Sequence, residues 1–394
     1  MTQQVRGSRS VSLLAVVPGP TGVAAVLAAL PDALAGLGPA LGITAAGDAD
    51  HAVRARAAVL GHDVDGDIAV VMATSGSTGR PRGVLLTAAS LLASAHAAYQ
   101  RLGGPGAWTL ALPVTGVGGL QVLVRSLVAH VDPIVLSSVG GASSFSPAEF
   151  AEATWRLDPS LPAYTSIVPA QAARLLDDAD GLAALRAYEA VLLGGARTPP
   201  VLLERLLDSQ VAAVTTYGMT ETSGGMFYDG VGLPGVSARI VDADPDGVGR
   251  ISLAGPTIAR GYLGDDELTA AVFPDGTHLT GDLGRLRDGV LEVLGRLDDV
   301  VQVGGVNVAI SAVTDALAAA CADACVLAVP DDAWGSRLTA FVVASPSTPD
   351  DDTLAALVSE QLGRAAVPRA WVRLDSIPHL PNGKPDREAL RHLT

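Results

Sequence analysis

The sequence predicts a multi-domain α/β protein: a large N-terminal domain of parallel-type sheets with crossover helices, a β-rich subdomain within it, and a small α+β C-terminal domain. Three observations carry this. The chain has 394 residues, room for two or three units of ordinary size. Up to about residue 235, short apolar runs alternate with Ala/Leu-rich stretches of helical length, the alternation that builds parallel sheets. Beyond that point short strands and turns take over, and a compact α/β pattern returns from Asp298.

The elements follow in order. Val11–Val17 and Ile43–Ala46 are short apolar runs, with the Ala/Leu-rich stretch Val23–Leu37 between them. Ile68–Ala73 is apolar and flanked by Asp and Gly, the mark of a strand buried on both faces. Ser90–Arg101 has helical character. Strands are expected at Trp108–Leu112, Pro133–Leu136, Ala190–Leu193 and Ala212–Thr215, and helices at Pro169–Leu176 and Pro200–Leu207. The β-rich subdomain, about residues 236–297, would hold Ala238–Val241, Gly249–Leu253 and Leu291–Val293, punctuated by Gly and Asp. A domain boundary is expected at Asp298, giving 1–297 and 298–394. The C-terminal part reads as helix Ser311–Ala320, strands Ala324–Val329 and Leu338–Ala344, helix Asp352–Leu362 and strand Ala370–Leu374.

Composition narrows the function. The formal net charge of −15 argues against nucleic acid or an anionic membrane surface as partner, since both call for basic patches. A small cationic pocket for an anionic ligand remains compatible with an acidic chain. Cys321 and Cys325 are too few for a disulfide framework and lack the partners of a zinc site, so they read as small residues in a reducing compartment. No signal-peptide pattern or membrane-length apolar run is present, and a soluble, cytoplasmic protein is expected.

The strongest local signal is Thr74-Ser75-Gly76-Ser77-Thr78-Gly79-Arg80-Pro81-Arg82-Gly83-Val84. Three glycines let the backbone curl close to a ligand. Hydroxyls and exposed N–H groups can cradle phosphate oxygens, with Arg80 and Arg82 as countercharge. It is not a Walker A loop, because Gly-Lys-Ser/Thr is absent. By composition alone it could equally be a solvated surface loop. Five further segments follow: Gly194-Gly195-Ala196, Tyr217-Gly218-Met219-Thr220-Glu221-Thr222, Thr280-Gly281-Asp282-Leu283, Gly295-Arg296-Leu297-Asp298-Asp299 (leading into Gly304-Gly305-Val306-Asn307) and Pro381-Asn382-Gly383-Lys384-Pro385-Asp386-Arg387. Lys384 is the only lysine among the 26 Lys and Arg residues of the chain.

Taken together and in this order, these segments resemble the signature motifs of the acyl-adenylate-forming (AMP-binding, acyl-CoA synthetase) superfamily. The resemblance spans residues 74–387. It implies an acid–thiol ligase that forms an acyl-AMP from ATP and a carboxylic acid and transfers the acyl group to coenzyme A, with Mg²⁺ as cofactor. It implies a phosphate loop at Thr74–Arg82, where the family usually carries Lys in place of Arg80 and Arg82. Gly194, Gly195 and Ala196 would line the adenine and acyl pocket. Tyr217, followed by Gly218, would stack on adenine, Thr220 would contact the α-phosphate and Glu221 would help to hold Mg²⁺. Asp282 would bind the ribose hydroxyls and Arg296 ribose or phosphate. Asp298 would be the hinge, Gly304 and Gly305 would face the thiol substrate, and Lys384 would serve adenylation.

The segments Leu110–Ser126 and Tyr164–Leu176 resemble one branch of this superfamily, the o-succinylbenzoate–CoA ligases of menaquinone biosynthesis, especially the short actinobacterial type. That substrate is a dicarboxylate, and the resemblance places Arg125 at its second carboxylate. One departure stands out: where the family has a pocket-lining His, this chain has Gly116. His96 and His130 lie off that position. Two alternatives stay open: another aryl- or acyl-acid ligase, which could load a carrier protein instead of free CoA, and a nucleotide-binding homologue with impaired catalysis. A homodimer is compatible with the resemblance.

Overall fold

The computed structural model describes residues 7–47, 50–74, 81–318, 320–321, 323–331, 335–345, 348–378 and 385–393. Ser75, Gly76, Ser77, Thr78, Gly79, Arg80 and Lys384 therefore lie outside the described residues, as does the side chain of Asp298.

A seven-stranded sheet forms the centre. Its strand order is Val231–Gly232, Gly224–Tyr228, Ala213–Met219, Ala190–Leu193, Ala163–Ile167, Ala107–Leu110, Ile134–Val135. From Ala213–Met219 to Ile134–Val135 every neighbour pairs in parallel. Ala107–Leu110, Ala163–Ile167 and Ala190–Leu193 are buried at every residue, as strands covered by helices on both faces must be. The crossover helices end where the residue type dictates. Thr87 Oγ1 accepts from Ser90 N at 2.9 Å to start Ala88–Leu102, and left-handed Gly103 stops it.

The second sheet corrects the expectation of largely parallel pairing. Its order is Gly261–Tyr262, Arg82–Thr87, Ile68–Thr74, Ala40–Ala45, Ser8–Val16, Asp63–Asp65. Ala40–Ala45 lies parallel to both its neighbours, but the remaining pairs are antiparallel. The cause is local. Ile68–Thr74 does not cross over after its loop but turns back as Arg82–Thr87, with Thr74 opposite Arg82. Within Ile68–Thr74, Ile68, Val70 and Val71 are fully buried, each worth about 1.5–3 kcal/mol of apolar transfer.

Ser237–Val241, Gly249–Ala254, His278–Arg287 and Val290–Arg296 make a four-stranded antiparallel sheet. The stretch between its second and third strands contributes Gly261–Tyr262 to the edge of the six-stranded sheet. The hairpin Val300–Val303/Val306–Ala309 follows; its turn has φ of 58° at Gly304 and 82° at Gly305, the two positive values that a tight two-residue hairpin turn demands.

The last part packs helices Ile310–Ala318 and Asp351–Leu362 against a sheet of Ala324–Asp331, Gly335–Val343 and Ala370–Leu374. Val313, Leu317, Val326, Leu354 and Val358 form its separate core. Cys325 is buried and Cys321 half-buried; burial pushes the Cys325 thiol up to about 11.

Candidate active site

The loop Gly194–Ala196 and the turn Thr220–Thr222 both leave the carboxyl ends of adjacent parallel strands, Ala190–Leu193 and Ala213–Met219. That edge is where open α/β sheets bind ligands. Backbone demands select the glycines. Gly195 has φ of 77°, and a Cβ on Gly218 would sit 2.1 Å from the carbonyl oxygen of Gly224, where the strand bulges against its neighbour.

Three of the predicted residues meet here. The Tyr217 hydroxyl donates to Asp282 Oδ2 at 2.7 Å, and Arg296 Nη1 faces Asp282 Oδ1 at 3.5 Å. Asp282 is 8% exposed, whereas the Arg296 side chain is 48% exposed and can turn toward a ligand. Asp282 N donates to Thr280 Oγ1 at 3.0 Å, which itself donates to the carbonyl of Ile251 at 2.9 Å. Burial, and after it the negative charge of Asp282, push the Tyr217 phenol well above its usual range, so it stays a donor. The half-buried Tyr217 ring lies 6.5 Å from that of Phe227, tilted at 52°.

A second group lies beside the antiparallel pair Ile68–Thr74 and Arg82–Thr87. Tyr262 donates from its hydroxyl to Glu221 Oε1 at 3.0 Å. The Arg82 guanidinium sits 5.9 Å from the Tyr262 ring centre, within cation–π range. Thr220 and Glu221 occupy a single 3-10 turn, closed by the Thr222 hydroxyl accepting from Met219 N at 2.9 Å. Beneath it, Gln121 Nε2 donates to the Ser223 carbonyl at 2.8 Å.

Gly116 caps the helix Val117–Ala129, and a Cβ there would meet only the Pro113 carbonyl at 3.5 Å, so the position has room for a side chain that the sequence does not supply. Arg125 lies two turns further along this helix, apart from the Tyr217 group. It is 3% exposed, its guanidinium stacks 4.9 Å from the Trp108 ring centre, and Nη2 donates to the Tyr228 hydroxyl at 3.3 Å. Its Nε is buried without a hydrogen-bond partner, and among the described residues no carboxylate pairs with it.

Gly304 and Gly305 form an exposed hairpin tip away from these groups in sequence, beside Val306, which is 52% exposed. The C-terminal part touches the site loop through Arg197 Nη1 and Asp315 Oδ2 at 2.6 Å. Arg387 Nη1 meets Asp299 Oδ1 at 3.0 Å, tying the terminal motif to the turn Leu297–Asp299. Sequence reasoning missed Tyr262, Arg197 and Asp315. Tyr262 stands in Ala259-Arg260-Gly261-Tyr262, a short segment with no hydrophobic periodicity to mark it.

Among the described residues no group of three or more His, Cys, Asp or Glu could cage a metal. A single carboxylate at the turn fits Mg²⁺, which is held by one or two carboxylates together with substrate phosphates.

The two-part α/β fold, with its Tyr–Asp pair anchored at the strand ends, has the layout of α/β enzymes that bind nucleotides at that edge. The chain belongs to the AMP-binding enzyme family: that family's pattern matches residues 38–263, and the pattern of the AMP-binding enzyme C-terminal domain matches residues 316–384. The probable 2-succinylbenzoate–CoA ligase of Mycobacterium tuberculosis (strain CDC 1551 / Oshkosh) is 40% identical over 381 residues, covering 95% of this chain and 96% of that protein. The 2-succinylbenzoate–CoA ligase of Listeria monocytogenes serovar 1/2a is 29% identical over 339 residues, covering 82% and 69%. The fold is that of o-succinylbenzoate CoA synthetase (MenE) from Bacillus subtilis in complex with ATP and magnesium ion, with a TM-score of 0.78 at 23% identity over 97% of this chain and 90% of that one. The amide bond synthetase McbA from Marinactinospora thermotolerans is similar at a TM-score of 0.72 and 26% identity, over 96% and 80%.

Proposed function

We propose that this protein is an AMP-forming acid–CoA ligase whose acid is o-succinylbenzoate. The reading is carried by the Tyr217–Asp282–Arg296 group at the strand ends, a ready receptor for an adenosine, in a chain 40% identical to a probable ligase of that acid. The chain divides functionally at Asp298, and the work is done in the cytoplasm, where ATP and CoA are supplied.

In the first half-reaction a carboxylate oxygen attacks the α-phosphorus, the bond to pyrophosphate breaks, and acyl-AMP forms. Positioning and charge neutralisation supply most of the rate in such transfers. Tyr217 offers its ring face to the adenine while its hydroxyl fixes Asp282 for the ribose diol. Arg296 completes the ribose side, and Gly194, Gly195 and Ala196 let the ligand approach the backbone. The loop Ser75–Arg80, with Thr74 and Arg82 at its ends, cradles the β- and γ-phosphates. Thr220 and Lys384 meet the α-phosphate. Mg²⁺ held at Glu221 would neutralise charge on the phosphates. In the second half-reaction the C-terminal part turns about Asp298, withdraws Lys384 and brings Gly304 and Gly305 to the thiol. The sulfur then attacks the acyl carbonyl, and AMP leaves.

Arg125 is the cation for the second carboxylate in this reading. What supports it is a buried guanidinium with no acidic partner among the described residues, which is costly until an anion completes it. Gly116 favours a second reading, a ligase for a different acid, because it leaves space where the family carries histidine. Acid-dependent pyrophosphate release from Mg-ATP separates them, measured with o-succinylbenzoate, benzoate, salicylate and medium-chain fatty acids, without and then with CoA. Turnover of o-succinylbenzoate alone, completed by CoA, supports the first. Turnover of another acid supports the second. No release with any acid, while ATP still binds, defeats both.

A further inference from the structure

Tyr262 sits where three parts of the molecule are stitched together. Its strand pairs with Arg82–Thr87, Tyr262 opposite Val84 and Gly261 opposite Leu85. Leu263 N donates to the Gly83 carbonyl at 2.8 Å, and Arg260 N to the Leu85 carbonyl at 2.9 Å. On the other side Ala259 N donates to the Glu221 carbonyl at 2.8 Å. The strand that leaves the phosphate loop and the turn that carries Glu221 are therefore held by one five-residue segment. The Tyr262 side chain repeats this link: hydroxyl on Glu221 Oε1 at 3.0 Å, ring under the Arg82 guanidinium at 5.9 Å. Its own backbone N–H donates to Thr269 Oγ1 at 2.9 Å, and the residue is 7% exposed, so the ring has little freedom.

We infer that Tyr262 is a positioning residue for the triphosphate: its hydroxyl holds one oxygen of Glu221 and its ring seats Arg82, so that the metal-side carboxylate and the cation at the loop's end are placed as one unit. The inference rests on the proposed role of Glu221. An aromatic alcohol meets both needs: a polar tip for a carboxylate and a π face for a guanidinium. A phenylalanine supplies only the second and a leucine neither.

The test is ATP binding by calorimetry at graded Mg²⁺, with thermal unfolding of each variant. For Tyr262→Phe the Mg²⁺ concentration giving half-maximal ATP binding rises about tenfold or more, as expected for one lost hydrogen bond to a charged group. Its ATP affinity at saturating Mg²⁺ stays within about twofold, and its unfolding temperature stays near that of the parent. Tyr262→Leu weakens ATP at every Mg²⁺ concentration. A parental Mg²⁺ profile in Tyr262→Phe overturns the inference. So does a loss of affinity in that variant that is uniform across Mg²⁺, the mark of a structural role. Glu221→Gln, run alongside, separates the two levels. If it flattens the Mg²⁺ dependence while Tyr262→Phe changes nothing, only the inference about Tyr262 fails. If it too keeps the parental profile, the metal role of Glu221 fails, and the inference with it.

Discussion

The Tyr217 hydroxyl rests 2.7 Å from Asp282 Oδ2, joining the last turn of a parallel strand to a strand of the antiparallel sheet across 65 residues of sequence. In the proposed function this bond would give adenine and ribose one shared footing. Tyr217→Phe keeps the ring but releases Asp282. The KM for ATP should rise about tenfold, with kcat changed less, because a charge-assisted hydrogen bond is worth roughly 1.5 kcal/mol and acts mainly in binding. Steady-state kinetics with ATP varied checks this; an unchanged KM would mean that Asp282 needs no such anchor.

Lys384 is the chain's only lysine. Lys384→Ala should abolish acyl-AMP formation from ATP, yet spare thioester formation from supplied acyl-AMP and CoA. Each half-reaction can be followed separately, by pyrophosphate release and by thioester absorbance. An equal fall in both removes the assigned role.

Arg125 invites a test that separates its two uses. Arg125→Ala leaves a gap against the Trp108 ring and frees the Tyr228 hydroxyl, at a stability cost of about 2–4 kcal/mol. If Arg125 also receives the second carboxylate, the KM for o-succinylbenzoate rises at least about tenfold while that for ATP hardly moves. Instability with an unchanged acid KM would confine Arg125 to packing.

His278 is 3% exposed, and its Nε2 lies 3.3 Å from Met219 Sδ. Burial, opposed in part by a backbone hydrogen bond, lowers its pKa from 6.5 to about 4. Its protonation is thus disfavoured in the folded chain. Below pH 6.5 the unfolded chain takes up the proton and the folded chain does not, so stability falls as the pH drops toward 4. The full effect is on the order of 3 kcal/mol. Denaturant melts between pH 7 and pH 4 should show a shallower decline in His278→Phe than in the parent.

Much of the fold was legible because parallel strands are buried on both faces and read as unbroken apolar runs. Ile68–Ala73 was predicted and Ile68–Thr74 is observed. Arg82–Thr87 escaped because it opens with Arg-Gly inside the loop motif, and Gly261–Tyr262 because two residues carry no periodicity. Motif order singled out Tyr217, Asp282 and Arg296, and the fold brings these three side chains together. Other contacts were not legible: no local pattern announces that Tyr262 reaches Glu221, 41 positions away, or that Arg197 pairs with Asp315.

The two-residue strand Gly261–Tyr262 has a practical consequence for anyone who cuts the chain. It closes one margin of the six-stranded sheet with a segment borrowed from between strands of another sheet. A fragment ending near residue 235 would keep the pair Ile68–Thr74/Arg82–Thr87 but strip that cover, leaving the outer backbone groups around Gly83–Leu85 open to any passing strand. Such a fragment would tend to self-associate through this margin before it could be assayed. Dissection of the protein is therefore better attempted after Arg296 than anywhere within the antiparallel sheet.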